Sequence, residues 1–233
     1  LGLYLHIPFC KSKCVYCDFY SLPRAEEQMD DYVSALCRQL ARSAPEAEAY
    51  TVDTVYFGGG TPSYLGAERL CRLLEAVLAH YRVDAGAEIT LEANPDSARG
   101  IPALRRLRAA GFNRISLGMQ SADDAELRAI GRVHTHRETV EAVECARAAG
   151  FENLSLDLIY GLPEQTAARW RANLTAALAL APEHLSCYGL KVEEGTPLYA
   201  RREEAALPDD DAQAEAYLYA ASTLEAAGYA QYE

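Results

Sequence analysis

The chain alternates between short apolar runs and longer segments in which apolar residues recur every three or four positions. The short runs predict β-strands, and the nearly continuous apolar character of several is typical of parallel strands covered on both faces. The longer segments predict amphipathic helices between the strands. Predicted strands span residues 3–7, 54–57, 88–92, 114–117, 154–159 and 184–190, and predicted helices span residues 30–42, 67–81, 102–110, 137–149, 167–181 and 211–227.

Repeated strand–helix units favour an α/β fold with a parallel sheet. Gly111, Gly150 and Gly228 follow predicted helices, at the position where a glycine commonly ends a helix. Six units are too few for a closed eight-stranded barrel, so the pattern predicts an incomplete (β/α)6-type barrel. No linker divides the sequence, and residues 1–233 are therefore predicted to form one domain.

The charge and cysteine content narrow the possible functions. A net charge of −12, from 22 Lys and Arg against 34 Asp and Glu, argues against broad binding to nucleic acid or anionic membranes. No apolar run reaches the length of a membrane span, and no signal peptide opens the sequence. Cys37, Cys71, Cys145 and Cys187 lie within apolar patterns and are interpreted as buried small hydrophobic residues. The odd total of seven cysteines predicts a reducing, cytoplasmic location.

The other three cysteines, Cys10, Cys14 and Cys17, follow the spacing C-x3-C-x2-C. Three thiolates are one fewer than a structural zinc site or a fully protein-ligated [4Fe-4S] cluster needs. A [4Fe-4S] cluster held by three cysteines leaves one iron open to a small molecule. A zinc site and a redox-active CxxC pair stay open as alternatives. A zinc site lacks an evident fourth ligand, however, and a CxxC pair leaves Cys10 without a role.

Polar motifs follow the predicted strands at their carboxyl ends, where parallel α/β folds bind ligands. The second strand is followed by Gly-Gly-Gly-Thr-Pro-Ser at residues 58–63, which lets backbone approach a small molecule closely. Glu92 ends the third strand and Gln120 follows the fourth. A cap or a solvent-facing charge is the simpler explanation for Glu92 taken alone. Together with the cysteine loop, these residues predict one cavity.

Two charged residues complete this predicted cavity. Asp157 lies near the end of the fifth strand, inside an apolar run. Burying an unpaired carboxylate costs several kcal/mol, so Asp157 is expected to have a partner such as a ligand hydroxyl or an arginine. Arg132 is a candidate for binding a ligand carboxylate, with an ordinary surface arginine as the alternative.

These residues resemble the radical S-adenosylmethionine (SAM) superfamily. The cysteine spacing carries the resemblance, together with the segments YLHIPFC at 4–10, GGGTPS at 58–63, GMQS at 118–121 and DLIYGLP at 157–163. They are similar to the branch that holds oxygen-independent coproporphyrinogen III oxidase and the heme chaperone HemW. The resemblance implies a radical SAM barrel in which Cys10, Cys14 and Cys17 hold a [4Fe-4S] cluster. It also implies that SAM is contacted by Tyr4, Tyr16, Gly59, Gly60, Thr61, Glu92, Gln120, Arg132 and Asp157.

The same resemblance implies a chemistry and a set of partners. In the superfamily, the reduced cluster gives one electron to the sulfonium of SAM, which releases methionine and a 5′-deoxyadenosyl radical. Oxidases of this branch carry a further cysteine two places after the third ligand, where this chain has Phe19. The chaperone branch is therefore preferred, with heme as cargo, acceptor hemoproteins as partners and a one-electron donor. Turnover stays open, since a heme carrier can retain the radical SAM residues without using them as an enzyme.

Two other functions stay open at this point. One is an oxidase that removes hydrogen from porphyrinogen propionates and so decarboxylates them. The other is a non-catalytic protein with a structural metal. Relatives of this branch continue beyond the point that corresponds to Glu233, with a carboxyl-terminal region and an HNxxYW motif implicated in heme binding. Residues 1–233 are accordingly expected to be the radical SAM core domain without that region. His80, His134, His136 and His184 are expected to be structural.

Overall fold

Six parallel strands form the central sheet of the computed structural model, which describes residues 1–233. Their order is β1-β4-β5-β6-β7-β8, so each strand pairs with the next long strand in the chain. No backbone ladder joins β1 to β8, and the sheet is open at these two edges. The predicted parallel α/β fold is confirmed. The strands are β1 (Gly2–Ile7), β2 (Phe9–Cys10), β3 (Leu22–Pro23), β4 (Val52–Gly59), β5 (Val83–Ala93), β6 (Arg114–Gln120), β7 (Asn153–Tyr160) and β8 (His184–Gly189).

Most helices connect successive strands of the sheet, and the last two follow the final strand. All six predicted helices are present, with ends within two residues of the predicted ones. The sequence pattern missed α4 (Asp124–Ala129) and α7 (Pro197–Ala200) because helices of 6 and 4 residues are too short to show a period of 3.6. None of the helices combines the length and apolar content needed to cross a bilayer. The helices are α1 (Met29–Ser43), α2 (Ala67–His80), α3 (Ile101–Ala110), α4 (Asp124–Ala129), α5 (His136–Ala148), α6 (Ala167–Ala179), α7 (Pro197–Ala200) and α8 (Asp210–Ala226).

Helix ends follow the local sequence. Gly111, Gly150 and Gly228 have φ angles of 122°, 94° and 92°, which confirms that glycines end three of the predicted helices. At the start of α5, the Thr135 hydroxyl accepts from the Glu138 backbone N–H, and the Glu138 carboxylate accepts from the Thr135 N–H. This reciprocal pair is a capping box, which satisfies two backbone donors that would otherwise lack partners.

The two faces of the sheet differ in chemistry. Side chains such as Val55, Phe57 and Leu91 are fully buried and belong to one apolar cluster with the helices. Alternate residues point to the opposite face, where Tyr56 hydrogen-bonds Glu92 and Ser116 hydrogen-bonds a carboxylate of β7. This second, inner face is covered as expected, since Thr90, Ser116 and Ser155 on it are buried, but it is not apolar. That face is lined by polar side chains and is available for ligand recognition.

The cysteines outside the amino-terminal motif differ in burial. Cys71 is buried as predicted, whereas Cys37, Cys145 and Cys187 are half-buried. The prediction of full burial is wrong for these three because each lies at the edge of the apolar cluster rather than within it. All seven cysteines are free thiols.

Candidate functional site

The three motif cysteines lie on a short segment that leaves the carboxyl end of β1. Cys10 is buried in β2, which pairs in parallel with β3. Cys14 and Cys17 are half-buried in the following turn, in which the Cys17 N–H donates to the Cys14 carbonyl at 3.3 Å. The Val15 N–H donates to the Ile130 carbonyl at 3.2 Å, which ties this turn to the loop after α4. The cysteine loop is thus held by backbone contacts on both sides.

Thr61 and Gly60 from the end of β4 enclose the sulfur of Cys10. The Thr61 hydroxyl donates to Cys10 Sγ at 3.5 Å. A Cβ placed on Gly60 would lie 2.9 Å from Cys10 Sγ and 2.8 Å from the Phe9 carbonyl oxygen, which no real Cβ tolerates. Burial raises the pKa of the Cys10 thiol, and the Thr61 hydroxyl opposes this shift because it favours the thiolate. The glycine run therefore serves, in part, the close approach of the protein's own cysteine loop.

Arg132 lies inside the site and contacts the second cysteine. Its Nη1 donates to Cys14 Sγ at 3.7 Å, and its Nη2 donates to Asn94 Oδ1 at 2.6 Å and to the Gly118 carbonyl at 2.9 Å. The alternative of an ordinary surface arginine is wrong, because these contacts hold the guanidinium beneath the cysteine loop. Burial raises the pKa of the neighbouring Tyr16 hydroxyl, while the positive charge of Arg132 lowers it. Tyr16 therefore lies next to both Arg132 and the cysteines.

Glu92 is the main acceptor on the inner face of the sheet. It accepts from the Tyr56 hydroxyl at 2.7 Å and from the Gly59 N–H at 3.1 Å. Burial raises the pKa of the Glu92 carboxyl, and these two donors oppose the shift. Tyr4 stacks on Tyr56, with ring centroids 6.0 Å apart, and its pKa is raised by burial and by the nearby Glu92 charge. Tyr4, Gly59 and Glu92 therefore share one part of the site.

Asp157 occupies the middle of β7 rather than its end. The predicted strand, residues 154–159, ends one residue before β7, which continues to Tyr160. The Ser116 hydroxyl lies 3.1 and 3.2 Å from the two carboxylate oxygens and supplies a protein partner for the acid. Burial raises the pKa of the Asp157 carboxyl, while the hydroxyls of Ser186 and Ser116 lower it. Strand register places Glu92 level with Ser116 and Ser155, so Asp157 lies two residues closer to the carboxyl end of the sheet than Glu92.

Gln120 ends β6 in an unusual conformation. Its φ of 63° falls in the left-handed region, which costs a non-glycine residue about 1 kcal/mol or more. Its Oε1 atom is buried and has no hydrogen-bond partner in the protein. A buried acceptor without a donor is unfavourable, so this atom is suited to a donor supplied by a ligand.

The histidines have structural contacts. A ring nitrogen of His134 lies 3.1 Å from the Met119 carbonyl, and burial together with the nearby Arg132 charge lowers the pKa of His134 to about 4. His184 lies 2.8 Å from the Ser155 hydroxyl, at the opposite end of the sheet from the cysteine loop. His6 faces the Tyr20 carbonyl at 3.0 Å.

The donor set fits an iron–sulfur cluster. No three His, Cys, Asp or Glu side chains converge on a point that could hold a single metal ion. Each cysteine of a cubane binds a different iron, so its sulfurs need not converge in that way. Thr61 and Arg132 direct donors at the sulfurs of Cys10 and Cys14, as the partners of cluster thiolates do.

The profile of the family described as "Radical SAM superfamily" matches residues 4–175. The chain belongs to the radical SAM superfamily. The matched segment runs from Tyr4 into α6 and contains all the predicted cluster and SAM residues.

Among radical SAM proteins, several curated relatives carry the name heme chaperone HemW. The chain is 43% identical over 237 residues to HemW of Mycobacterium tuberculosis, covering 100% of this chain and 60% of the relative. It is 41% identical over 234 residues to HemW of Escherichia coli K12, covering 100% and 61%. The chain therefore spans about 60% of the length of these relatives. The resemblance to this branch of the superfamily is confirmed.

Solved structures support the same fold. The structure described as coproporphyrinogen III oxidase (HemN) from Escherichia coli, a radical SAM enzyme, matches with a TM-score of 0.89 and 31% identity, over 98% of this chain and 53% of that chain. An archaeal Elp3 structure from Methanocaldococcus infernus matches with a TM-score of 0.66 at 17% identity, over 95% of this chain and 54% of that chain. The second match shows the fold alone.

The structure brings the predicted site residues into one connected region, and it adds residues that sequence reasoning missed. Tyr56, Asn94 and Ser116 each hydrogen-bond a predicted site residue. Ser116 could have been found by alternation, because Gln120 lies an even number of residues further along the same strand. Tyr56 carried no such signal, because β4 contains no predicted polar site residue. Asn94 carried a weaker signal, an amide just before Pro95 at the end of a buried strand.

Proposed function

We propose that this chain is the cluster- and SAM-binding core of a HemW-like heme chaperone, which passes heme to acceptor hemoproteins. In this proposal residues 1–233 act as one radical SAM core domain. The observation that carries the proposal is the contact of Thr61 and Arg132, two predicted SAM residues, with the sulfurs of Cys10 and Cys14. The predicted cluster site and the predicted SAM site are thereby adjacent.

Cys10, Cys14 and Cys17 would hold the [4Fe-4S] cluster, and the chain offers groups that stabilise thiolates there. Burial raises the pKa of Cys10 and of Cys17, so a thiolate at either position needs compensation. The Thr61 hydroxyl and the Arg132 guanidinium supply donors to the sulfurs of Cys10 and Cys14. At Cys17 a hydrogen bond from the Phe19 backbone opposes the rise in pKa. With SAM bound at its open iron, such a cluster supplies one-electron chemistry, for which an external one-electron donor is needed.

The polar groups on the inner face of the sheet match the functional groups of SAM. The N–H groups of Gly60 and Thr61 already donate to the Ile7 and Phe9 carbonyls at 2.8 Å. This segment is therefore left with carbonyl acceptors, which suit the methionine ammonium group. Arg132 uses part of its five donors within the protein and has donors left for the methionine carboxylate. Glu92, Gln120 and Asp157 offer acceptors for ribose hydroxyls or other polar atoms of SAM.

Sequence identity supports a chaperone over an oxidase. The chain is 37–43% identical to relatives named heme chaperone HemW and 31% identical to HemN. Phe19, two places after the third cysteine, is 65% exposed at a position where oxidases of this branch carry a cysteine. The second candidate is a coproporphyrinogen III oxidase, which the TM-score of 0.89 with HemN favours.

Two assays separate these candidates. The full-length protein, reconstituted anaerobically with iron and sulfide, is incubated with heme and an apo-hemoprotein, and in parallel with coproporphyrinogen III, SAM and a reductant. Heme uptake followed by transfer, without vinyl-product formation, is the result expected. Formation of the vinyl product at a steady rate would contradict the chaperone proposal and support the oxidase.

Cluster binding has its own test. Cys14→Ser is expected to lose cluster iron because it removes one of three thiolate ligands. Cys37→Ser, a half-buried cysteine of α1, is the matched control and should retain the iron content and paramagnetic resonance signal of the unmodified protein. Stoichiometric zinc without iron uptake, or equal iron in both variants, would contradict the ligand assignment.

A further inference from the structure

Asn94 lies between the predicted cluster site and the predicted SAM site and uses both ends of its amide. It follows the last residue of β5 and is half-buried. Its Oδ1 accepts from Arg132 Nη2 at 2.6 Å, and its Nδ2 donates to Thr61 Oγ1 at 3.2 Å. Its backbone N–H donates to the Ser63 hydroxyl at 3.3 Å, which fixes the residue itself.

The orientation of this amide follows from the chemistry of its neighbours. A guanidinium only donates hydrogen bonds, so the amide atom facing Arg132 must be the oxygen. The amide nitrogen then faces Thr61 and donates to a lone pair of its hydroxyl oxygen. The hydroxyl proton of Thr61 is therefore directed elsewhere, and the atom within reach is Cys10 Sγ at 3.5 Å. The amide thus sets the direction of every hydrogen bond between Arg132 and Cys10.

We propose that Asn94 is a positioning residue that couples the SAM-binding arginine to the iron–sulfur cluster, by directing the Thr61 hydroxyl at the Cys10 sulfur while orienting Arg132. This inference rests on the proposed cluster and SAM sites. A donor to a cluster sulfur stabilises the reduced form, which carries more negative charge on sulfur, and so raises the midpoint potential. The same amide holds the guanidinium in place for a ligand carboxylate. One side chain therefore acts on both the potential and SAM affinity.

Asn94→Asp tests the direction of this relay. A carboxylate still accepts from Arg132, but its second oxygen accepts from Thr61 instead of donating to it. The Thr61 proton is then drawn away from Cys10. Part of the positive charge of Arg132 is also neutralised, which weakens its attraction for the carboxylate of SAM. We expect a more negative midpoint potential and about 10-fold weaker SAM binding, with iron content unchanged.

A double-mutant cycle separates redirection of the hydroxyl from the added charge. Thr61→Val removes the hydroxyl and should lower the potential by itself, whereas Thr61→Ser retains it and should not. The added charge of Asn94→Asp lowers the midpoint potential whether residue 61 is Thr or Val. The further decrease that comes from turning the Thr61 hydroxyl away from Cys10 should disappear in the Thr61→Val background. A smaller shift in that background is therefore expected. Equal shifts in both backgrounds would overturn the inference.

The measurements are redox titration followed by paramagnetic resonance and equilibrium dialysis of SAM, both on the reconstituted protein. Asn113→Asp is the matched control, because Asn113 is half-buried and its Nδ2 donates to the Ala87 carbonyl, away from the cluster. It should change stability but neither potential nor SAM affinity. If Asn94→Asp takes up no cluster, the midpoint potentials of Thr61→Val and Thr61→Ser are compared instead. Equal potentials for these two variants would overturn the inference. Failure of the unmodified protein to form a cluster would instead reject the proposed function.

Discussion

Gly60 shows how little freedom single residues have beside the cysteine loop. Gly60→Ala would place a methyl group 2.9 Å from Cys10 Sγ and 2.8 Å from the Phe9 carbonyl, so the loop would have to move. We expect loss of most cluster iron after reconstitution, with a destabilisation of about 1–3 kcal/mol from overpacking. Gly100→Ala is the control, because its Cβ would meet nothing closer than Ala103 at 3.7 Å. Full iron loading of Gly60→Ala would show that the loop can shift without consequence.

Asp157 predicts a pH-dependent stability. Its pKa is raised in the folded protein by burial, so it favours folding at low pH, and that contribution is lost as pH rises through the folded pKa. Above the folded pKa the buried charge opposes folding. Asp157→Asn should therefore raise the free energy of unfolding by about 1 kcal/mol at pH 8, with a smaller gain near pH 4. SAM binding should weaken in the same variant.

Urea unfolding at the two pH values measures this effect. Asp31→Asn, at an exposed position in α1, is the control and should change the free energy of unfolding much less. A loss of stability at pH 8 would show that the contact with Ser116 outweighs the desolvation of the carboxylate.

For single residues, the sequence predicted which positions belong to the site better than it predicted which side chains contact one another. Glycine content predicted a close approach at residues 58–60, but to a small molecule, whereas the structure shows the cysteine loop against Gly60. Spacing and glycine content did not predict that Asn94 would join Arg132 to Thr61, because that contact depends on the relative register of β4, β5 and β6. They also did not predict that Ser116 would be a partner of Asp157, since that contact joins two different strands.

At the scale of elements, α5 holds the segment that carries Arg132. Its capping box begins three residues after Arg132, and Glu138 also forms an ion pair with Arg99 at 2.9 Å. Thr135→Ala removes the side-chain cap and should destabilise the protein by about 1 kcal/mol. Some loss of SAM affinity should accompany it, because the preceding loop positions the guanidinium.

Thermal unfolding and SAM dialysis test this link between helix and site. Thr175→Ala is the control, since Thr175 is exposed within α6 and bonds the Arg171 carbonyl of its own helix. Reduced stability with unchanged SAM affinity in Thr135→Ala would show that the loop is held by its other contacts, such as the backbone bond from Val15 to Ile130.

Long elements were predictable and short ones were not. Six strands and six helices could be predicted because each carries several apolar positions at its own period. Helix α4 has one turn and a half and is defined instead by the Asp123 side chain, which caps it. The polar inner face was concealed because alternating serines, tyrosines and acids within apolar strands resemble ordinary variation until the partner strands are known.

At the scale of the whole chain, net charge affects how the proposed heme cargo would approach. The chain carries a net charge of −12, and heme carries two propionates. Long-range repulsion should slow their encounter at low salt, and screening should relieve it as the Debye length shortens. The association rate constant for heme should therefore rise about 3- to 10-fold between about 0.01 M and 0.3 M ionic strength.

Stopped-flow absorbance of heme binding to the reconstituted chain measures this rate, and a porphyrin without propionates provides the control, whose rate should depend little on salt. The buried Arg132 does not reverse the prediction, because its charge is partnered within the site and acts only at short range. A rate that falls with added salt would instead require a positive entry surface that outweighs the net charge. The exposed lysines Lys11 and Lys13 of the cysteine loop would then be the first residues to replace, since they lie next to the predicted cluster. A rate that rises with salt therefore indicates that the net negative charge of the chain repels heme. A rate that falls with salt indicates that heme enters past the positive residues of the cysteine loop.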